Sequence, residues 1–336
     1  MNSPRNHRAF LEGASPAIAL ALMIIVCMIV IPNFSHIEIR EGRLFGALID
    51  IMHRGTIVML LAIGMTLVIA TNGIDLSVGA IMAIAGAIAA MLLTTTTIPV
   101  TWIVLLSLGI SILIGMWNGF LVAFLEIQPI IATLILMVAG RGVAQLITNG
   151  QIIPFENKAF ESIGTGAFLG LPVTIFITLA VFLIAWFLVK KTTIGLYIKA
   201  VGGNEIASRY SGVSTRMIRI FVYAFSGFCA GIAGLISTAD IKAADPTHCG
   251  MYLELDAILA VVIGGTMLNG GKFSLAGSII GALFIQTLTT GMLMKGIGAE
   301  YALVIKAVIV VVVCMIRSLV SQKPLSLGWL RGGASK

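Results

Sequence analysis

The sequence predicts an all-α, polytopic membrane protein of about ten transmembrane helices, arranged as an inverted five-plus-five repeat with short interrupted helices. Hydrophobic residues make up 59% of the 336 positions and charged residues only 10%, too little polar surface for an ordinary soluble globule. Apolar windows recur at lengths near the ~20 residues that a hydrocarbon core of roughly 30 Å requires. Each half also opens a small-residue apolar run on an acidic residue, Asn72-Gly73-Ile74-Asp75 in the first and Leu253-Glu254-Leu255-Asp256 in the second. Because five helices per half is an odd number, two such halves must be inverted relative to one another; chance similarity between apolar segments is the competing explanation.

The windows fall at 16–31, 55–71, 78–93, 101–125 and 130–148 in the first half, and at 171–189, 218–239, 257–267, 274–294 and 301–316 in the second. Arg5 and Arg8 precede the first, as in a signal peptide. The stretch Pro32-Asn33-Phe34-Ser35-His36 offers no small-x-small cleavage site, so a retained helix is expected. The window at 257–267 is too short to cross alone and reads as a broken or partly re-entrant helix, tolerable only where protein or a polar cavity satisfies its ends. Residues 1–336 form a single permeating domain by this reading, with a 1–15 tail, a long loop at 190–217 and a 317–336 tail on the same side.

Orientation follows from basic residues. With the N-terminus inside, about thirteen Lys and Arg fall on the cytoplasmic side and about seven outside, leaving Lys306 within the last window. Glu38, Glu41, Asp50, Glu156, Glu161, Asp240, Asp245, Glu254, Asp256 and Glu300 then all face outward. The net charge of +7 is thus mostly topology, and nothing favours nucleic acid as a partner.

Several chemistries are excluded. Cys27, Cys229 and Cys314 sit in apolar runs as small hydrophobes, and with Cys249 they offer no disulfide framework or metal spacing. The nearest approach to a phosphate-cradling G-x-x-x-x-G-K-[ST] loop, residues 266–273, has Gly271-Lys272 but Thr at its first position and Phe at its last. Energy from ATP therefore requires another polypeptide. His7, His36, His53 and His248 all fall outside the windows, so no Ser/His or His-Glu-x-x-His constellation is expected on a helix and an enzyme is the weakest reading.

Glycines at small-xxx-small spacing, such as Gly79 with Ala83 and Gly227 with Gly231, read as close helix packing. The glycine-rich polar stretches 72–79 and 264–271 read differently, as helix interruptions whose free backbone groups line a path.

The 190–217 loop is the most informative segment. Asn204 reads as an N-cap, and Glu205 to Tyr210 as a short helix ended by Gly212. Such a helix gains little from the bilayer, so a protein that grips it is the natural hypothesis; the plain alternative is a solvated connection with basic anchors. At this point the residues carry a resemblance. The string Gly202-Gly203-Asn204-Glu205-Ile206-Ala207-Ser208-Arg209-Tyr210-Ser211-Gly212-Val213 is similar to the coupling segment of sugar permeases of the ribose/galactose class of bacterial ABC importers. Three further stretches agree in order: Gly73-Ile74-Asp75-Leu76-Ser77-Val78-Gly79, residues 131–142, and residues 254–266. The wording at 42–46, 239–245 and 251–254 is most similar to galactofuranose-type permeases. Two positions depart from the family: Asn72 stands where Gly is usual, and Phe273 where a small residue is common.

The resemblance implies a transport subunit, without its own ATPase, that moves a monosaccharide from periplasm to cytoplasm across the bacterial inner membrane. It implies a separate ABC ATPase that uses ATP and Mg, a second permease (copy or paralogue) and a periplasmic sugar-binding protein; this chain itself binds no cofactor or metal. The coupling residues would be Gly202, Gly203, Asn204, Glu205, Ala207, Ser208, Ser211 and Gly212. Carbohydrate needs amides, carboxylates and hydroxyls beside an apolar wall, so the expected path residues are Asn72, Asp75, Ser77, Asn118, Thr133, Arg141, Gln145, Gln286 and Thr290, with Trp117 and Phe120 as walls. Asp240, Asp245, Glu254 and Asp256 are expected to dock the binding protein. The alternative, an ion-coupled secondary carrier working without an ATPase, would need carboxylates buried in mid-span; every acid except Asp75 is expected at a span end.

Overall fold

The computed structural model describes residues 4–32, 34–40 and 43–321. Glu41 of the expected acidic face and the tail beyond Ser321 therefore lie outside the described residues. The chain forms thirteen helices among these residues: α1 Pro4–Val30, α2 Ala47–Ala70, α3 Val78–Thr95, α4 Val100–Ala123, α5 Pro129–Ile147, α6 Lys158–Thr165, α7 Val173–Lys191, α8 Thr193–Gly203, α9 Glu205–Tyr210, α10 Thr215–Ile241, α11 Leu253–Ile263, α12 Leu275–Met294 and α13 Ala299–Ser321. Strand pairing is confined to three short ribbons, such as Ile153–Pro154 against Ala243–Ala244.

Seven of these helices, α2, α3, α4, α5, α7, α10 and α12, are long and apolar enough to cross a membrane by length and composition. Each matches an expected window. The other three windows correspond to the apolar parts of α1 and α13, Ser15–Val30 and Tyr301–Val313, and to α11, which has only 11 residues. The 190–217 loop is mostly helical: α8 precedes the expected short helix α9, and Thr192 caps α8 by accepting from Ile194 N–H.

Two helices form the centre. α2 is buried along nearly its whole second half and α10 along most of its length. They pack on each other, and each also holds the partners of the other half: α2 packs on α11 and α12, α10 on α3 and α4. This reciprocal pattern relates α2–α5 to α10–α13. The remaining helix of each half stands outside it, since α1 lies on α12 whereas α7 lies on α2. In a lipid setting, where apolar faces gain nothing from meeting, such contacts depend on close approach. Gly64 meets the Ser226 backbone, and Gly227 meets Gly115 and the Ser111 carbonyl.

α3 and α11 both begin deep in the bundle because the chain folds back before each of them. α2 ends at Ala70, and the chain then turns back through a non-helical stretch so that Asp75 bonds to Ser226, the residue that faces Gly64. Six residues of helix separate Gly64 from Ala70, so the re-entry is about 9 Å deep at 1.5 Å per residue. From the opposite end, the segment after α10 turns inward until Gly250 and Glu254 pack against Gly79 in the first turn of α3. A Cβ on either glycine would collide with the other's backbone. The first turns of α3 and α11 therefore meet inside the bundle.

Candidate functional site

A buried polar network surrounds the first re-entrant segment. Asp75 is fully buried; its Oδ1 accepts from Ser77 N–H at 3.0 Å and from Ser77 Oγ at 2.6 Å, and its Oδ2 accepts from Ser226 Oγ at 2.8 Å. Asn118 Nδ2 donates to Ser77 Oγ at 2.8 Å, while Asn118 Oδ1 has no hydrogen-bond partner among the described residues. Thr133 Oγ1 donates to the Ile74 carbonyl at 3.2 Å, and the Tyr223 hydroxyl approaches the same oxygen at 3.5 Å. An unwound segment inside a bundle leaves backbone groups that must find partners; α5 and α10 supply them at the Ile74 carbonyl, and α4 bonds the Ser77 hydroxyl. Asp75, Ser77, Asn118 and Thr133 thus come together as the sequence suggested, though closed to solvent. Ser226 and Tyr223 complete the set, and no local signal distinguishes them from other polar residues on α10.

The second interruption carries charge. Arg141 on α5 donates to the carbonyls of Cys249 and Pro246, anchoring the inward-turned loop. Glu254 is buried in the first turn of α11, where a carboxylate is favoured by the helix dipole. Lys306 Nζ on α13 bonds both oxygens of Asp256, at 3.0 and 2.8 Å, and both side chains are mostly buried. Of the acids expected to dock the binding protein, the inward turn of 245–252 carries Glu254 and Asp256 into the bundle, where they face protein. Of the four acids, Asp240 is exposed and Asp245 is half-buried, its carboxylate bonded to the Thr247 and His248 amides. Both Glu254 and Asp256 stand in the first turn of α11, at the end of that helix.

Other expected path residues lie elsewhere. Trp117 and Phe120 are exposed on the outer face of α4, where Trp117 stacks on Phe120 and Phe120 on Phe124; one residue's rotation separates Trp117 from the inward Asn118. Gln286 and Thr290 bond to each other at 3.1 Å on α12, and Gln286 packs on Gly55 of α2, away from Asp75. Gln145 is half-buried on α5. His53 lies inside α2, contrary to expectation, because that helix begins eight residues before its apolar window. Its Nδ1 is 2.9 Å from Thr174 Oγ1 and its Nε2 is 3.2 Å from Asp240 Oδ1, which ties α2, α7 and α10 at one end.

The opposite end of α2 meets α8, on which α9 packs. Asn204 Oδ1 accepts from Ala207 N–H at 2.9 Å, Ser208 Oγ and Ser211 Oγ donate back to the carbonyls of Asn204 and Ala207, and Gly212 takes a left-handed φ of 82°. The helix is therefore capped at both ends as its sequence indicated. Glu205 pairs with Arg219 on α10, a partner that sequence spacing does not reveal. Ile206 and Tyr210 are 70% and 89% exposed, an apolar surface that no described residue of this chain covers. A cavity of ≈ 530 Å³ opens beside them, lined by Glu205, Arg209 and Arg219 together with Glu126, Gln128 and Asn72. Asn72 has a left-handed φ of 63°, a conformation Asn tolerates and Gly adopts freely.

Comparison with known proteins places the chain among permease components. Residues 47–314 match the family described as branched-chain amino acid transport system / permease component. The chain is 50% identical over 317 residues to the galactofuranose transporter permease of Escherichia coli K12, covering 94% of this chain and 92% of that one. It is 42% identical to the fructose import permease of Bifidobacterium longum, over 90% of this chain and 86% of that one. It is 39% identical to the ribose import permease of Haemophilus influenzae, over 94% and 96% respectively.

Proposed function

The chain belongs to the branched-chain amino acid transport system / permease component family, and from that membership we propose that it is the membrane-spanning subunit of an ABC importer that passes a monosaccharide, galactofuranose, from periplasm to cytoplasm. The curated relatives named for sugars support a sugar over an amino acid, and 50% identity to the galactofuranose permease, against 42% and 39% to the fructose and ribose permeases, supports that sugar. A separate ATPase that binds ATP and Mg supplies the energy, a second permease completes the pore, and a periplasmic binding protein delivers the sugar. The chain lies in the bacterial inner membrane with both termini cytoplasmic, so the α9 end faces the ATPase.

The observation that carries this reading is the juxtaposition of α9 and Asn72 around one cavity. A capped helix with exposed Ile206 and Tyr210 suits a protein partner, and the mouth of the first interruption opens beside it. ATP-driven movement at α9 would reach the path directly, and the related halves would rock to expose it alternately. The buried network at Asp75 then shapes the path, while Asn72 offers its amide at the cytoplasmic mouth.

Buried Asp75 and Glu254 are also what an ion-coupled carrier would need. Reconstitution separates the two: vesicles holding the chain with and without its ATPase and binding protein are given labelled galactofuranose, ribose and galactose. Uptake that requires the ATPase, ATP and the binding protein is expected. Uptake by the chain alone, driven by an ion gradient, would sink the importer reading.

A further inference from the structure

The turn between α11 and α12, residues 264–274, packs its backbone against the end of α8 and the end of α2. Gly271 N–H donates to the Ala70 carbonyl at 3.0 Å. Gly202, at the end of α8, is wedged against that same carbonyl and against Gly271 N, so that a Cβ there would overlap both. Gly270, in a left-handed conformation with φ 76°, faces the Gly202 carbonyl and Asn72 N. A separate side-chain tie spans the same joint, with Lys199 Nζ of α8 5.7 Å from the centre of the Phe273 ring, within reach of a cation–π attraction.

We propose that Gly202, Ala70 and Gly270-Gly271 form a backbone clasp that makes α8–α9 move as one body with the end of α2 and the 264–274 turn, so that a displacement at α9 enters both halves of the permease at once. The inference rests on the reading of α9 as the helix gripped by the ATPase. Contacts of main chain on main chain contain no rotatable side chain to absorb a shift, and close-packed interiors transmit displacement rather than yield to it. Ala70 ends the central helix of the first half, and the turn leads into α12 of the second. Gly202 is a positioning residue in this scheme: it touches neither sugar nor nucleotide. Phe273, the second departure from the family pattern, acquires a role as the ring under Lys199.

The test uses the assembled importer, with its ATPase and binding protein, in nanodiscs. Spin labels replace exposed Arg209 and Lys272 in one sample and Arg209 and Glu126 in another. Between nucleotide-free and ATP-trapped states, the 209–126 distance should change and the 209–272 distance should not. In Gly202→Ala the 209–272 distance should become nucleotide-dependent, and sugar imported per ATP hydrolysed should fall by about an order of magnitude. Gly109→Ala, whose Cβ meets nothing within 4 Å, should behave as the parent. If Gly202→Ala fails to accumulate, the Lys199→Ala/Phe273→Ala pair, which leaves the backbone untouched, should lower the same ratio. A parent protein whose 209–272 distance shifts as much as 209–126, or a Gly202→Ala protein with an unchanged ratio, overturns the clasp while leaving the α9 reading intact. If neither distance responds to ATP, the α9 reading fails and takes the clasp with it.

Discussion

Ser226 Oγ donates to Asp75 Oδ2 at 2.8 Å across 151 residues of sequence, and this bond holds the unwound entry to α3 against the central helix α10. Asp75→Ala leaves the Ser77 amide and hydroxyl without their buried acceptor. An orphaned buried group costs about 1–3 kcal/mol, so a lower melting temperature in detergent and loss of sugar uptake are expected. Wild-type stability in Asp75→Ala would show that the network does not hold the segment.

Lys306 and Asp256 fasten α11 to α13. Removing one partner of a buried pair costs about 3–5 kcal/mol because the other charge is stranded, whereas removing both costs much less. Lys306→Met and Asp256→Leu should each destabilise strongly, and the double variant should recover most of the loss. Thermal unfolding of the four proteins gives the coupling energy; additive effects would contradict a direct pair.

Glu205 pairs with Arg219, joining α9 to α10. Glu205→Arg sets two cations together and should abolish transport while the binding protein keeps its affinity for sugar. The exchange Glu205→Arg/Arg219→Glu should restore part of the activity. Normal uptake in the single variant would mean that α9 carries no stroke.

Gly79 and Gly250 bring the starts of α3 and α11 together. Gly79→Val forces branched carbons into the Gly250 carbonyl and the Glu254 carboxylate, so loss of folded protein in the membrane is expected, read by size-exclusion of a fluorescent fusion. An unchanged monodisperse peak would show that the two helix starts can separate freely.

Glu161 on α6 accepts a hydrogen bond and ion pair from Lys242 at 2.7 Å, and that bond holds its carboxyl below the ordinary value of 4.5. A depressed acid contributes stability that is present above pH 4.5 and lost as pH falls through the lower folded value. Glu161→Gln should therefore melt below the parent at pH 7, and the difference should close in acid below pH 4.5. A gap that persists there would assign the effect to packing instead.

The sequence by itself determined the solvent, the order of the apolar helices, the shortness of the 257–267 window, and the caps of α9. These are local properties: hydropathy over one window, or a side chain bonding an amide three residues away. It also singled out Asp75, Ser77, Asn118 and Thr133, because polar residues in apolar runs are conspicuous. Only the tertiary structure decided that Ser226 and Tyr223 join them, that Glu254 and Asp256 turn inward, that Trp117 faces outward, and that Gly202 touches Ala70 and Gly271. Each depends on how deep a chain re-enters or on which face a helix turns to a distant neighbour. Depth and facing are set by backbone contacts between glycines far apart in sequence, and these leave no periodic trace in either segment alone.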